Sequence, residues 1–553
     1  MQFDYKFSGN TEVKSNSSSV GMNFAPDVLR DPTYFIGELN SKIPFREAIS
    51  ALHDIVVSDF RFKPKDKSDY KAWANQQEAI WLADFMKGEK EVKDKIEPLR
   101  AELDRVRNEK TKIMAPFNVA KQKYFNHIYL SNREAWIVLD PVITVHPDEL
   151  FFECFSKDES SYGKLGCSYN VFQNISDFKC GTTNIDYSSA LYDEFQKIRQ
   201  YKKTDFKIDP SGFEVQTEKE EVYKEVKIDL PDSWVRGFLQ VSSAMQLSSV
   251  SIELDPMDMH NICFILKRNR EKEGPRSLRY VLEPGKPVKL VFDPWNLVLE
   301  CPRSVYHGKE KMEIRVWGRR RLLLLERLIP VARKFTVVLL GNGLPSFYVA
   351  DLGDMNFTLG LSGWTANDWS ALGNFDLLAP RTQVDSFTMQ KVYVALKEKW
   401  VEDAESLAKR LGIDTATTTG ALSAFTQAGR VIYDLDKKMY RIRELSRESL
   451  PVESLRFANE REESASRFVE TNKVTLRVQE TPEKALLLTG SVVDKNQTFQ
   501  AMLVLDLDNK MVKAECGCNF YQQNRLMKGP CEHILGLRIM HREKQNPSYI
   551  WNQ

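Results

Sequence analysis

Two closely spaced pairs of potential metal ligands near the end of the chain constrain its fold more than any other feature. Cys516-x-Cys518 is followed, after twelve intervening residues, by Cys531-x-His533. Three thiolates and one imidazole complete a tetrahedral shell around zinc and leave no position open for water. Soft sulfur ligands favour zinc over magnesium or calcium. The pairs therefore predict one structural Zn²⁺ held by these four side chains.

The residues around the two pairs predict a small ββα unit. FQAMLVLDL and KMVKAEC are typical of two strands that lead into the first pair, and CEHILGLRIMHREK is typical of a helix that begins at the second. Gly529 and Pro530 predict a turn between them. His541, further along the helix, is expected at the surface. This arrangement resembles the SWIM zinc finger, whose pattern is CxC, a variable spacer and CxH, over roughly residues 470–545.

The SWIM resemblance implies a binding role. Fingers of this family bind DNA or proteins, and the bacterial proteins that carry them are often encoded beside MoxR-type AAA ATPases and von Willebrand A-domain proteins. The resemblance thus implies an adaptor whose partner is one of these two proteins. Arg525 and Lys528, in the spacer, are candidate contacts to a partner or to nucleic acid, and the neighbouring aromatic residues could stack on bases. Such aromatic side chains more often pack over the metal.

A second pattern lies upstream of the finger, between Thr382 and Leu445. Three helical stretches are followed by VIYDLDKKMYRIR, which predicts two short strands about a polar turn. The third helix is predicted to begin after Asp414, a suitable N-cap, and to stop at Gly429. This order resembles the winged-helix branch of the helix-turn-helix folds.

The winged-helix resemblance implies contact residues on the third helix and in the wing. They are Thr415, Thr418, Thr419, Lys437 and Lys438. The third helix lacks the Arg or Asn side chains that read bases in the major groove. A protein-contact or structural role is therefore favoured over DNA reading, which remains the alternative.

The middle of the chain has the composition of a β-rich region. Six segments rich in β-branched and aromatic residues predict strands separated by turns. They are AWIVLDPVITVHPDELFFECF, SVSIELD, NICFILKRN, PVKLVFD, LVLECP and KMEIRVWG. The basic run 319–321 is interpreted as a solvated strand end rather than a phosphate site. Three evenly spaced cysteines match no compact metal site and are expected to be free thiols; they are Cys154, Cys167 and Cys180. An enzyme active site in this region is a weaker alternative function.

A sequence with helical periodicity precedes the β-rich region. From Lys67 to about Ile113, apolar residues recur at helical spacing, and Gly88 and Pro98 divide the stretch into two helices. The pattern predicts a helical hairpin packed on its own domain, with a partner-binding coiled coil as the alternative.

Composition and charge narrow the class of protein. Lys plus Arg number 78 against 77 Asp plus Glu, a net charge of +1, which argues against a surface wholly devoted to nucleic acid or an anionic membrane. The most apolar run, RLLLLERLIPVARKFTVVLLG, is interrupted by charged residues and does not predict a membrane span. Eight cysteines are too few and too unevenly placed for a disulfide scaffold in a chain of this size, which favours a reducing compartment. We therefore expect a cytoplasmic protein without membrane association. The sequence contains no P-loop, HExxH, Rossmann or GxSxG motif, so an enzyme is not favoured.

These patterns together predict an α+β multidomain protein. We expect an N-terminal region with the helical hairpin, a β-rich domain, a winged helix and a C-terminal SWIM finger, at 1–130, 131–380, 381–447 and 448–553. The predicted function is a zinc-binding interaction protein that docks protein partners through the winged helix and the finger. DNA binding by the same two domains is the alternative.

Overall fold

The computed structural model has a mixed α/β architecture with several antiparallel sheets. The chain divides into two compact units, Phe60–Val138 and the remainder, and every residue that the structure describes belongs to the remainder. The predicted helical hairpin therefore lies outside the described residues. No helix within the described ranges is long and apolar enough to cross a membrane. The described residues are 12–15, 19–24, 33–58, 141–176, 178–184, 195–201, 203–208, 232–271, 275–363, 384–445, 457, 459–481, 485–495, 497–507, 510–526 and 529–545.

Runs of strands along the described part of the chain are separated by single helices or short groups of helices. The strands are β1 (Glu12–Ser15), β2 (Ser19–Phe24), β3 (Phe35–Leu39), β4 (Val142–Val145), β5 (Glu149–Phe155), β6 (Ser161–Ser168), β7 (Phe172–Gln173), β8 (Gly181–Asn184), β9 (Lys203–Ile208), β10 (Val250–Leu254), β11 (Leu278–Leu282), β12 (Pro287–Phe292), β13 (Leu297–Val305), β14 (Met312–Val316), β15 (Lys334–Leu339), β16 (Ser346–Asp351), β17 (Met355–Leu361), β18 (Val401–Glu402), β19 (Val431–Asp434), β20 (Met439–Ile442), β21 (Arg477–Glu480), β22 (Leu486–Asp494), β23 (Gln497–Leu505) and β24 (Met511–Cys516). The helices are α1 (Lys42–Val57), α2 (Asp232–Ala244), α3 (Pro256–Arg268), α4 (Ser386–Lys399), α5 (Ala404–Leu411), α6 (Thr415–Gln427), α7 (Glu460–Glu470), α8 (Asn519–Asn524) and α9 (Glu532–Gln545), with 3₁₀ segments at Tyr169–Val171 and Arg319–Leu328.

An antiparallel sheet of eight strands forms the centre of the β-rich region. Its order is β10-β15-β16-β17-β6-β5-β4-β8. Alternate residues of β5 pack on opposite sides, because side chains along a strand point alternately to its two faces. Phe152 shares a core with α1, whereas Phe151 and Phe155 share another core with α2. Helices therefore cover both faces, and β5 is buried at every position.

Two smaller sheets share the first of these cores. One has the order β13-β12-β11-β14, and the other has the order β1-β2-β9-β3-β7, in which β2 and β9 pair in parallel. Helix α1 contributes its apolar stripe and also contacts the 3₁₀ segment Arg319–Leu328. Most strands predicted in the described part of the β-rich region are present.

One predicted strand is wrong, because NICFILKRN lies in helix α3. The Asp255 side chain accepts a hydrogen bond from the Met257 N–H at 2.8 Å, and Pro256 occupies the first helical position, so the segment has a capped helical start. A short apolar run fits a strand and a buried helix equally well, and the cap decides between them. The apolar side chains that α3 buries recur at helical spacing; they are Met259, Ile262, Cys263 and Leu266.

The arginine run is also not the solvated strand end that the sequence suggested. Arg319 and Arg321 are only 1% and 5% exposed, at the start of a 3₁₀ segment. A guanidinium nitrogen of Arg321 donates to the Ser160 carbonyl at 3.1 Å, and Arg319 lies 3.4 Å from the Glu271 carboxylate. Backbone carbonyls and a carboxylate thus compensate the burial of these charges.

Residues 384–445 form three helices and a three-stranded sheet. Helices α4, α5 and α6 surround a core that they share with the β19–β20 hairpin, and β18 pairs with β20. The Asp414 carboxylate caps α6 by accepting from the Thr417 N–H at 2.8 Å, and Gly412 ends α5 with a left-handed φ of 67°. Each of these helices lies where the sequence pattern predicts it.

Residues 459–545 form a further antiparallel sheet with its own hydrophobic core. The order is β21-β22-β23-β24, and α7 and α9 pack together and against the sheet. Strands β23 and β24 and helix α9 lie on either side of the ligand pairs, as predicted.

Candidate metal centre

Three elements bring the four predicted metal ligands together. Cys516 is the last residue of β24, and Cys518 is the N-cap of α8, where its Sγ accepts from the Tyr521 N–H at 3.4 Å. Cys531 immediately precedes α9, and His533 lies in the first turn of that helix. A strand end and two helix starts thus converge on one point.

The geometry of the four donor atoms suits one metal ion. All four residues are buried, and their ligand atoms lie within 4.8 Å of one another. The Cys516 Sγ is 3.8 Å from the His533 Nδ1. Zinc–ligand bonds in a tetrahedral site place sulfur and nitrogen about 3.6 Å apart. The cluster formed by Cys516, Cys518, Cys531 and His533 could therefore hold one metal ion.

The thiols within the cluster differ strongly in acidity. A hydrogen bond from Cys531 is the main cause that lowers the pKa of Cys516 to about 4, against the opposing effect of burial. The same contact and then burial raise the pKa of Cys531 well above its ordinary value, and burial raises the pKa of Cys518. Three crowded thiols thus oppose full ionisation. A divalent cation removes that opposition, because a coordinating thiol loses its proton outright.

Aromatic side chains pack around the cluster. The His533 ring lies between Phe499, with centroids 4.3 Å apart, and Phe468, which is nearly parallel to it at 5.8 Å. Tyr521 is buried and donates its hydroxyl hydrogen bond to the Ala514 carbonyl. These contacts fix the position of the imidazole and shield the sulfurs from solvent.

Other predicted residues of the finger have different environments. Arg525 is exposed, with its guanidinium 5.5 Å from the centre of the Tyr521 ring, whereas Lys528 lies outside the described residues. His541 is buried at 6% exposure, so its predicted surface position is wrong. It follows Ile534 and Leu537 on the core-facing side of α9, a spacing that places the three side chains on one helical face.

Neighbouring helices bury most of α6, the helix predicted to carry contact residues. Thr415 is exposed, Thr419 is half-buried, and Thr418 is buried with its hydroxyl donating to the Asp414 carbonyl at 3.0 Å. No residue from Thr417 to the end of α6 is exposed, because α4, α5 and α2 pack around it.

The two lysines predicted in the wing have unlike surroundings. Lys437 is 2.7 Å from the Glu149 carboxylate and 3.5 Å from Asp148, so its charge is paired with the central sheet. Lys438 is exposed, at a left-handed φ of 54°. The turn between β19 and β20 therefore presents one unpaired lysine among the contacts that the structure describes.

A buried charge network, which the sequence analysis missed, fastens the hairpin to strand β5. The fully buried Arg441 guanidinium lies 2.9 Å from Asp434, 2.8 Å from Asp148 and 3.2 Å from Glu149. Burial raises the pKa of Asp434, but the charges of Lys164 and Arg441 outweigh it and hold that pKa below its usual range. The available signal was charges of opposite sign inside apolar strands, carboxylates in ELFFECF and guanidiniums in MYRIR.

His146 lies buried beside this network. Its ring meets Trp400 edge-on at 5.4 Å, and its Nε2 contacts the Ile442 carbonyl. Burial is the main cause that lowers the pKa of His146 to about 3, and the nearby Arg441 charge lowers it further. The imidazole is therefore neutral at ordinary pH.

Comparison with known proteins gives little further constraint. No protein-family model matches the chain, and no curated protein matches it. Among solved structures, proliferating cellular nuclear antigen from Entamoeba histolytica gives a TM-score of 0.29 at 10% identity, covering 41% of this chain and 89% of that one. A structure of the C-terminal region of FEN-1 bound to A. fulgidus PCNA gives a TM-score of 0.28 at 11% identity, covering 42% and 91%. TM-scores this low do not establish a shared fold.

Proposed function

We propose that this chain is a zinc-stabilised interaction protein whose C-terminal finger docks a protein partner. The buried cluster of three cysteines and one histidine carries the proposal. Its soft donors suit zinc, and four protein ligands close a tetrahedral shell, so the ion stabilises the fold and has no open position for a reacting water. The CxC and CxH pairs, at a strand end and a helix start, support a SWIM-type finger.

The edge strand β21 is the docking surface that we propose on the finger. It is exposed at all four positions and pairs only with β22 among the described strands. Val478 at its centre is 45% exposed. An exposed strand edge offers unpaired N–H and C=O groups to which an extended segment of a partner can pair.

Residues 384–445 would contribute a second contact surface as a winged helix. Its exposed apolar side chains lie on α4, where Phe387 is 79% and Val394 is 48% exposed. They are seven residues apart, which places them on the same face of the helix. We therefore assign partner contact to α4, with α6 in a supporting role because its neighbours cover it.

The SWIM resemblance supplies the partner in this proposal. A MoxR-type AAA ATPase or a von Willebrand A-domain protein would bind the finger, and the chain would act as an adaptor between that partner and its target.

Affinity capture from the native cells tests the proposal. We expect the full-length protein to retain one of these two partners, identified by mass spectrometry, and Val478→Asp to lose it. Phe264→Asp is the matched control, since Phe264 is also exposed, at 54%, but lies on α3, which belongs to neither proposed surface. Absence of either partner, or equal capture by the Val478→Asp variant, would contradict the proposal.

DNA binding is the alternative, and the exposed Arg525 beside Tyr521 is the observation that favours it. Fluorescence anisotropy with duplex and single-stranded DNA across a salt series distinguishes the two functions. Binding that weakens steeply with salt would show several phosphate contacts and support the alternative. The protein-docking proposal predicts no binding at physiological salt.

A further inference from the structure

We propose that Asp494 is the outer partner of the metal ligand His533, an inference that rests on the metal centre of the proposed function. The Asp494 carboxylate would accept a hydrogen bond from the Nε2–H of the imidazole while Nδ1 faces the metal. Asp494 would thus be a positioning residue that raises the affinity of the finger for zinc.

The two nitrogens of the His533 ring have different surroundings. Nδ1 lies on the side of the cluster, 3.8 Å from the Cys516 Sγ. Nε2 is buried and has no hydrogen-bond partner among the described residues. The Asp494 carboxylate lies 3.9 Å from Nε2, and no other carboxylate of the described residues lies within 4.0 Å of that atom. A buried polar nitrogen thus has one carboxylate acceptor within 4 Å among the described residues.

The position of Asp494 follows from the hairpin that carries it. It is the last residue of β22 and pairs with Gln497, the first residue of β23. Lys495 adopts a left-handed φ of 44° at this turn. The same hairpin supplies Phe499, which packs on the imidazole, so the ring and the carboxylate are held by one element. Asp494 is 23% exposed and is therefore partly sheltered from water.

The chemistry of a metal-bound imidazole requires such an acceptor. A neutral imidazole has one N–H, and when Nδ1 is the ligand that hydrogen is on Nε2. A carboxylate that accepts it fixes the tautomer, orients the ring and makes the ligating nitrogen more basic. An N–H···O hydrogen bond spans about 2.9 Å. We therefore expect the Asp494 contact to shorten when the metal is bound.

Glu532 provides a matched control beside the other nitrogen of the ring. Its carboxylate lies 4.0 Å from Nδ1, and its side chain is 23% exposed, the same as that of Asp494. Removing either charge changes the local field by a similar amount, but only Asp494 faces the nitrogen that would carry the hydrogen. Comparing substitutions of Asp494 and Glu532 therefore distinguishes a directed hydrogen bond from general electrostatic attraction.

Zinc affinity of the full-length protein, measured by competition with a chelator, tests the inference. Asp494→Ala should weaken zinc binding by about 10- to 100-fold, the range typical of outer partners of metal-ligating histidines. Asp494→Asn, which keeps an oxygen acceptor, should lose less, and Glu532→Gln should stay close to wild type. A loss in Glu532→Gln as large as that in Asp494→Ala, or wild-type affinity in Asp494→Ala, would overturn the inference.

Nitrogen NMR of the His533 ring in the zinc-loaded wild-type protein gives a second readout that needs no substitution. We expect the metal on Nδ1 and a slowly exchanging proton on Nε2; the reverse assignment would overturn the inference. A wild-type protein that binds no zinc would refute both the proposed metal centre and the role of Asp494. A protein that binds zinc regardless of residue 494 would refute only the latter.

Discussion

Buried charged and polar side chains decide how residues 384–445 attach to the central sheet. Arg441 is fully buried among three carboxylates, and His146 lies neutral beside it. Removing one member of a buried ion pair costs far more than the pair contributes, because the remaining charge stays buried without compensation. The stability of this junction should therefore depend strongly on these two residues.

Arg441→Met tests the network directly. The substitution removes the buried guanidinium that pairs with the buried carboxylates of Glu149 and Asp434, so we expect the free energy of unfolding to fall by about 3–5 kcal/mol. Urea denaturation measures it. The control is Lys334→Met, which breaks an ion pair whose members are 45% and 64% exposed and should cost at most about 1 kcal/mol. Equal losses in the two variants would show that the network is not stabilising.

The pH dependence of stability should report on His146. Its pKa is about 3 in the folded protein and about 6.5 when unfolded, so the unfolded chain binds the proton more tightly. Stability from this group is complete above pH 6.5 and is lost as the pH falls towards 3, by up to about 1.4 kcal/mol per pH unit. His146→Gln should flatten this slope between pH 7 and 5 in urea titrations.

The matched control for this substitution is His260→Gln, which removes an exposed ring on α3. It should leave the free energy of unfolding at pH 7 close to that of wild type. An unchanged slope in the His146→Gln variant would contradict the assignment.

Single residues also mark the limit of what the sequence could predict. The CxC and CxH pairs predicted four clustered residues, and the structure brings these four together. The short spacing within each pair already keeps its two members close. Thr418, Lys437 and His541 were expected at the surface, and the structure buries or pairs each of them. Their surroundings come from segments distant in sequence, which no local pattern contains.

At the scale of elements, capping signals were the most reliable part of the sequence. Asp414 marks the start of α6 where the structure has it, and the predicted stop at Gly429 lies two residues beyond the end of that helix at Gln427. The segment NICFILKRN was misassigned because its apolar residues were weighed without the Asp255–Pro256 start in front of it. The packing of α2 on α6 was unpredictable, since it joins residues that lie far apart along the chain.

Asp255→Ala tests the cap that decides the structure of α3. Loss of the hydrogen bond to the Met257 N–H should lower the free energy of unfolding by about 1 kcal/mol. Asp255→Asn retains an acceptor and should remain near wild type in the same urea titration. If the alanine variant is as stable as wild type, the cap does not stabilise this helix.

For the whole molecule, the important division is between the finger and the remaining described residues. Residues 459–545 have a core of their own, in which the three cysteines of the candidate metal cluster pack with Ile534 and Leu535. Because the folding of small metal sites is coupled to metal binding, loss of the ion should unfold this part while the central sheet persists. The central claim is therefore that one zinc ion holds the finger together.

Metal analysis of the purified full-length protein, combined with amide hydrogen exchange, tests that claim most directly. Wild type should carry one zinc per chain, whereas Cys531→Ser should carry none and lose protection in residues 459–545 alone. Cys180→Ser is the control, since this free, half-buried cysteine lies outside the cluster. One zinc per chain retained by Cys531→Ser, or a wild-type protein without zinc, would contradict the account.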